Sequence, residues 1–160
     1  MFDKIESIMK KIDKVVEWLT FASLGGMTLL IFLQVIFRYV LSAPLAWTEE
    51  LSIFMFIWMT FLAGYLGVRK GKHIGVDGVK NMFPRLGIRI FDFLANLISS
   101  IFFIIIVIST TEFMPKLMTQ VSPALGLPMA YVYLIMILSS VLMGFWYAVL
   151  AVRSITKKDS

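Results

Sequence analysis

Four apolar runs of about bilayer length dominate this 160-residue sequence. A hydrocarbon core about 30 Å thick needs about 20 apolar residues in helical form. The third run is apolar except for Asp92 and Asn96 near its start, and the other three carry charge only at their ends, at Arg38 and Glu50. The sequence therefore predicts an all-α membrane protein, a single domain over residues 1–160. Its four transmembrane helices are expected at about residues 18–38, 50–68, 90–111 and 130–152.

The composition agrees with this class and excludes several functions. Hydrophobic residues make up 59% of the chain, with a mean hydropathy of +0.88, against about 45–50% apolar residues in soluble domains. The chain has no cysteine, which excludes thiol catalysis, disulfides and cysteine-ligated metals. The net charge of +5 does not indicate a nucleic-acid partner, because the basic residues lie in blocks between the apolar runs.

The placement of lysine and arginine predicts the orientation in the membrane. Four basic residues lie in residues 1–17, six in residues 69–90 and three in the C-terminal tail, whereas the other two links carry only Arg38 and Lys116. Basic residues are enriched in cytoplasmic loops. Both termini are therefore expected in the cytoplasm.

Residues 1–17 show a helical repeat of apolar side chains, with lysines and acids on the opposite face. This pattern is not expected of a secretory signal. It favours an amphipathic helix lying in the cytoplasmic interface before the chain turns into the bilayer. The alternative is a plain extension of the first span into water, which would leave the apolar stripe exposed.

The link between the first two spans holds the most suggestive polar residues. Glu49 and Glu50 are adjacent, Trp47 precedes them, and Arg38 ends the first run. Thr48 is expected to cap the second helix, whose first turn favours carboxylates. Arg38 can pair with either glutamate across the hairpin. These four residues, Arg38, Trp47, Glu49 and Glu50, form the predicted contact surface for a partner on the outer face, with helix capping as the simpler alternative.

The link after the third span is rich in helix breakers. Residues 112–130 contain Pro115, Pro123 and Pro128 together with Gly126. Proline lacks a backbone N–H and disrupts helix interiors. We expect the helix to break here and to be followed by an ordered, partly inserted loop.

Groups that would support catalysis or transport within the spans are scarce. Haem ligation needs histidines inside the spans, yet the only histidine, His73, lies in the 69–90 link and is expected to be solvated. Asp92 is the one acid inside a span and lies three residues from Arg89. Three classes follow: a non-catalytic subunit of a larger complex, a self-contained small exporter acting as an oligomer through Asp92, and a membrane-bound redox enzyme. The first is favoured, and no enzyme activity or cofactor is expected.

Several short motifs in order resemble one known family. They are Gln34–Val40 (QVIFRYV), Trp47–Leu51 (WTEEL), the mid-span Trp58, and Arg69–Asp77 (RKGKHIGVD). The series resembles the small permease subunit, DctQ/SiaQ-type, of tripartite ATP-independent periplasmic (TRAP) transporters.

The resemblance implies a role that the residues alone do not define. It implies a small four-helix subunit of the bacterial inner membrane that binds a large membrane subunit. Sodium and substrate bind to the large subunit, and the outer face of the small subunit helps to dock a periplasmic substrate-binding protein. The substrate is expected to be an organic acid such as sialic acid or a C4-dicarboxylate. The end of the chain at Ser160 suggests the separate-subunit form rather than a fusion.

Overall fold

The computed structural model describes residues 2–71 and 85–156 of the chain. Within these residues it contains four long helices and one isolated β-bridge. The helices are α1 (Phe2–Tyr39), α2 (Ala46–Arg69), α3 (Arg85–Thr119) and α4 (Met129–Thr156). All four are long and apolar enough to cross a membrane, so the predicted all-α, four-span fold is confirmed. His73, most of the Arg69–Asp77 motif, and Lys157 and Lys158 lie outside the described residues.

The helices pack in the order α1, α2, α4, α3, with α2 and α4 in the middle. α4 is the most enclosed helix, and the outer helices α1 and α3 leave most of their apolar side chains uncovered. The chain thus has two ends. The hairpin end contains residues 40–45 and 120–128, and the termini end contains the starts of α1 and α3 and the ends of α2 and α4.

The separate interfacial helix predicted over residues 1–17 is not found as such. α1 runs without interruption from Phe2 to Tyr39, so the extension alternative describes its backbone. That alternative was expected to leave the apolar stripe exposed. The stripe is instead divided: Met9 and Val16 are buried in a core shared with α2 and α4, whereas Ile8 and Val15 are more than half exposed.

Pro115 does not end α3, contrary to the sequence prediction. The helix continues through it for about one more turn, to Thr119, although proline removes one N–H and crowds the carbonyl four residues earlier. The connection to α4 is therefore short. It is ordered, as predicted, by a bridge between Val121 and Pro128.

Two glycines mark where helices approach closely. A Cβ on Gly26 would lie 2.8 Å from the Met55 sulfur, and one on Gly144 would lie 3.3 Å from the Phe103 Cβ. The Ser100 hydroxyl donates to the Gly144 carbonyl at 3.0 Å. Small residues permit such approaches between membrane helices, and here they join α1 to α2 and α3 to α4.

Candidate functional site

An exposed polar cluster occupies the hairpin end. Arg38 Nη2 and Gln34 Nε2 both donate to Glu49 Oε2, each at 3.2 Å. The Arg38 and Glu49 side chains are 47% and 55% exposed. The predicted pairing of Arg38 across the hairpin is thus present, and its partner is Glu49. Exposed pairs of this kind contribute about 0–1 kcal/mol, so the cluster adds little to the stability of the fold.

Glu50 has a different set of partners, despite being adjacent to Glu49. Its two carboxylate oxygens accept hydrogen bonds from the backbone N–H groups of Ala124 and Leu125, each at 2.9 Å. A carboxylate that accepts from backbone amides forms a charge-assisted bond, stronger than a neutral one. Glu50 therefore fastens the 120–128 loop to the start of α2.

The loop that Glu50 holds is also closed by its own backbone. Ser122 N donates to Leu127 O at 2.9 Å, and Gly126 N donates to Ser122 O at 3.0 Å. Gly126 has φ +64, a left-handed conformation that glycine adopts without a Cβ clash. Ser122 is nearly fully buried, at 2% exposure. The loop therefore presents a defined surface beside the Arg38–Glu49 pair.

Thr48 does not cap α2, which corrects the sequence prediction. The N-cap is Leu45, with no side-chain capping hydrogen bond. Thr48 lies inside the first turn, fully buried, and its hydroxyl donates to Leu45 O at 2.7 Å. Glu49 stands in the same turn, where the helix dipole favours a negative charge.

The aromatic residues of this end point outward. Trp47 is 42% exposed and Tyr39 is 75% exposed. Trp58, deeper in α2, instead donates its indole N–H to Val132 O of α4 at 3.2 Å. The structure thus brings Arg38 and Glu49 together, places Glu50 under the neighbouring loop and leaves Trp47 at the surface.

The termini end contains a buried polar network that sequence reasoning missed. Arg69 binds Asp13 through Nη2 at 2.6 Å and through Nε at 3.0 and 3.1 Å. The Tyr65 hydroxyl donates to the same carboxylate at 2.7 Å. The Arg69 side chain is only 4% exposed. One signal was available, because Asp13 stands between Met9 and Val16 at helical spacing on the apolar stripe.

The network extends to α4. Glu6 contacts Arg69 at 3.5 Å and Arg153 at 3.1 Å. The Arg69 guanidinium lies 3.8 Å from the centre of the Trp146 ring, a cation–π geometry. The termini end is therefore held together by charged groups from α1 and α2, together with an arginine and an aromatic ring from α4.

The described carboxylates of both ends already have protein partners. In the described ranges, 2–71 and 85–156, no three histidine or acidic side chains lie together as metal ligands would. The carboxylates described above are engaged with arginines, amides or a tyrosine. Four helices long and apolar enough to span a membrane, with polar clusters at the two ends, define a multi-pass membrane protein.

Comparison with known proteins identifies the family of this membrane protein. Residues 27–157 match the family model described as the DctQ component of tripartite ATP-independent periplasmic transporters. The chain belongs to this family, as its motifs predict. Its members are transporter components and not enzymes, so the redox-enzyme hypothesis is wrong, and membership favours the subunit over the self-contained exporter.

Three relatives illustrate the range of similarity. A protein of Haemophilus influenzae assigned as a TRAP transporter small permease is 30% identical over 95% of this chain and 92% of its own length. The C4-dicarboxylate TRAP transporter small permease protein DctQ of Vibrio cholerae is 40% identical over 45% of this chain and 31% of its own length. The sialic acid TRAP transporter permease protein SiaT of H. influenzae is 34% identical over 48% of this chain, but over only 12% of its own length.

Proposed function

We propose that this chain is the non-catalytic small membrane subunit of a sodium-coupled TRAP importer. In this role it scaffolds the large permease subunit, and its hairpin end helps to dock a periplasmic substrate-binding protein. The substrate would be an organic acid such as sialic acid or a C4-dicarboxylate. Sodium and substrate would bind to the large subunit, and no cofactor to this chain.

The observation that carries the proposal is the placement of charge. In the mid-membrane parts of α1, α2 and α4 there is no charged side chain, while the described ion pairs of the chain lie at its two ends. Ionisable groups at membrane depth usually mark transport pathways. A bundle of this kind is suited to holding another permease chain. The match of this chain to a small fraction of a longer permease protein also supports association with a large membrane subunit.

Docking at the hairpin end is supported by its exposed and ordered surface. Arg38 and Glu49 present opposite charges to solvent, and Glu50 fixes the loop beside them. Charged rims affect the encounter rate and specificity of protein partners more than the stability of the fold.

Charge reversal at this end tests the proposal. The chain would be co-expressed with its large permease subunit and binding protein, and both co-purification and uptake of the labelled substrate would be measured. We expect Glu49→Lys to lower uptake severalfold with normal co-purification, and the Glu49→Lys/Glu50→Lys double variant to lower it further. Glu17→Lys is the matched control, since Glu17 forms an ion pair with Lys70 at the opposite end, at 2.7 Å.

Two results would contradict the proposal. Wild-type uptake in the double variant would leave Glu49 and Glu50 without a docking role. Purification of the chain as a transport-competent protein without a large permease subunit would remove the scaffold role.

The proposed orientation places both termini in the cytoplasm. Because the chain has no cysteine, a single cysteine in place of Ser42 or Thr156 reports its side of the membrane. We expect an impermeant maleimide to label the Ser42→Cys variant in spheroplasts and to label the Thr156→Cys variant only after lysis. The reverse pattern would invert the topology and move the docking surface to the cytoplasm.

A further inference from the structure

An open trough on the outward face of α1, lined in part by two lysines, lies next to an apolar groove between three helices. The trough has a volume of about 520 Å³ and largely apolar walls, formed by Lys11, Lys14, Val15, Trp18, Leu19 and Ala22. The groove encloses about 330 Å³ between α1, α2 and α4, and its walls include Leu19, Ala22, Met55, Trp58 and Tyr131. Leu19 and Ala22 line both spaces, so the trough and the groove are adjacent.

The charge of the trough is positive because the acids of α1 face elsewhere. Glu6 and Asp13 bind Arg69, and Glu17 binds Lys70. These acids lie on the side of α1 that packs against α2, whereas Lys11 and Lys14 line the opposite side. The two ammonium groups are thus presented outward, one helical turn apart and next to the largely exposed Trp18, at 73% exposure.

We propose that this feature is a binding site for one anionic phospholipid, with phosphatidylglycerol as the model ligand. The lipid phosphate lies between Lys11 and Lys14, and one acyl chain passes Ala22 into the groove beside Met55 and Trp58. Basic sites beside membrane helices attract anionic headgroups, and tryptophan prefers the headgroup level of the bilayer. The small side chain of Ala22 keeps the passage between trough and groove open.

This inference does not rest on the proposed transport function. It needs only a chain that spans a membrane with Trp18 near one interface. The site would seat a lipid on α1 whether or not a large permease subunit is bound, so the test uses the full chain alone first and its complex with the large subunit as a second sample.

Native mass spectrometry of the purified full chain tests the site. The protein would be released from mixed micelles that contain equal amounts of phosphatidylglycerol and phosphatidylcholine, and the retained lipids would be counted. We expect preferential retention of phosphatidylglycerol. Lys11→Gln and Lys14→Gln should each lower that preference about fivefold, since a basic residue near an anionic lipid surface contributes about that factor. Lys10→Gln is the matched control, since it removes the same charge from outside the trough.

A second variant tests the groove rather than the charge. Ala22→Phe should abolish retention of phosphatidylglycerol by closing the passage. If the Phe variant does not fold, Ala22→Val takes its place and should weaken retention. Equal retention of both lipids by the wild type would overturn the proposal. An equal loss of phosphatidylglycerol preference in Lys10→Gln would also overturn it, because it would indicate diffuse charge attraction. Unchanged phosphatidylglycerol retention in a folded Ala22 variant would overturn it as well. Loss of the lipid when the large subunit is bound would show that a protein segment occupies the groove, and would also overturn it.

Discussion

Both ends of the bundle contain an ion pair between an arginine and a carboxylate, but one pair is largely buried and the other is exposed. At the termini end, Arg69 is 4% exposed and binds Asp13 through two nitrogens, with Tyr65 on the same carboxylate. At the hairpin end, Arg38 is 47% exposed and reaches Glu49 through one nitrogen at 3.2 Å. Removing one partner of a buried pair costs several kcal/mol because a charge is left uncompensated, whereas an exposed pair contributes at most about 1 kcal/mol.

This difference separates a structural role from a recognition role. The termini end holds α1, α2 and α4 in place and leaves little of the Arg69 charge available to a partner. The hairpin end leaves its charges accessible, and beside them the Glu50 hydrogen bonds hold the 120–128 loop to the start of α2. Substitutions at the two ends should therefore act on different observables.

The largest effect is expected from Arg69→Ala. Among the described residues, the substitution leaves Tyr65 as the donor to the Asp13 carboxylate, and it removes the stacking on Trp146. We expect the free energy of unfolding in detergent to fall by about 3 kcal/mol. Lys70→Ala is the matched control, because the 52% exposed Lys70 pairs with Glu17 at the same end, and it should change stability by less than about 1 kcal/mol. Equal effects would show that burial does not distinguish these pairs.

A smaller and more local effect is expected from Glu50→Gln. The neutral amide retains one acceptor oxygen but loses the charge that strengthens both hydrogen bonds. Amide hydrogen exchange at Ala124 and Leu125 should accelerate by about tenfold, with little change in α2. Glu49→Gln, one residue earlier, should leave these two amides unchanged. Faster exchange in both variants would mean that the loop responds to general charge at this end rather than to the Glu50 bonds.

The smallest effect on stability is expected at the exposed pair. Arg38→Ala should lower the free energy of unfolding by less than about 1 kcal/mol, as measured by chemical denaturation in the same detergent. Its effect on uptake should be larger than its effect on stability if the pair serves recognition. The exchanged pair Arg38→Glu/Glu49→Arg restores the ion pair and separates the two roles. A loss of stability comparable to that of Arg69→Ala would remove the contrast between the ends.

Features set by local sequence were predictable, and those set by packing were not. Length and hydropathy sufficed to identify the four spans, because a membrane helix satisfies its backbone hydrogen bonds within one segment. The same criterion could not show that part of the apolar stripe of residues 1–17 is buried in a core shared with α2. Without that knowledge, a separate helix at the interface was a reasonable expectation, whereas the structure has a single helix to Tyr39.

The candidate sites follow the same division. Arg38 and the two glutamates are joined by a short hairpin, so an ion pair was expected from the sequence, but not which glutamate forms it. Glu50 meets Ala124 and Leu125, and Asp13 meets Arg69, across long stretches of chain. The apolar spacing around Asp13 signals an acid near the core, but no local pattern identifies its partner. The end of α3 was also not predictable from Pro115, because the helix continues for about one turn beyond this proline.

The uninterrupted α1 has a mechanical consequence. A helix of 38 residues is about 57 Å long at about 1.5 Å per residue, nearly twice the roughly 30 Å of a hydrocarbon core. It carries Asp13 about a third of the way along and Arg38 at the far end, and one continuous helix joins them. A tilt of α1 imposed where Asp13 binds Arg69 would therefore be expected to displace Arg38 on the far side of the membrane.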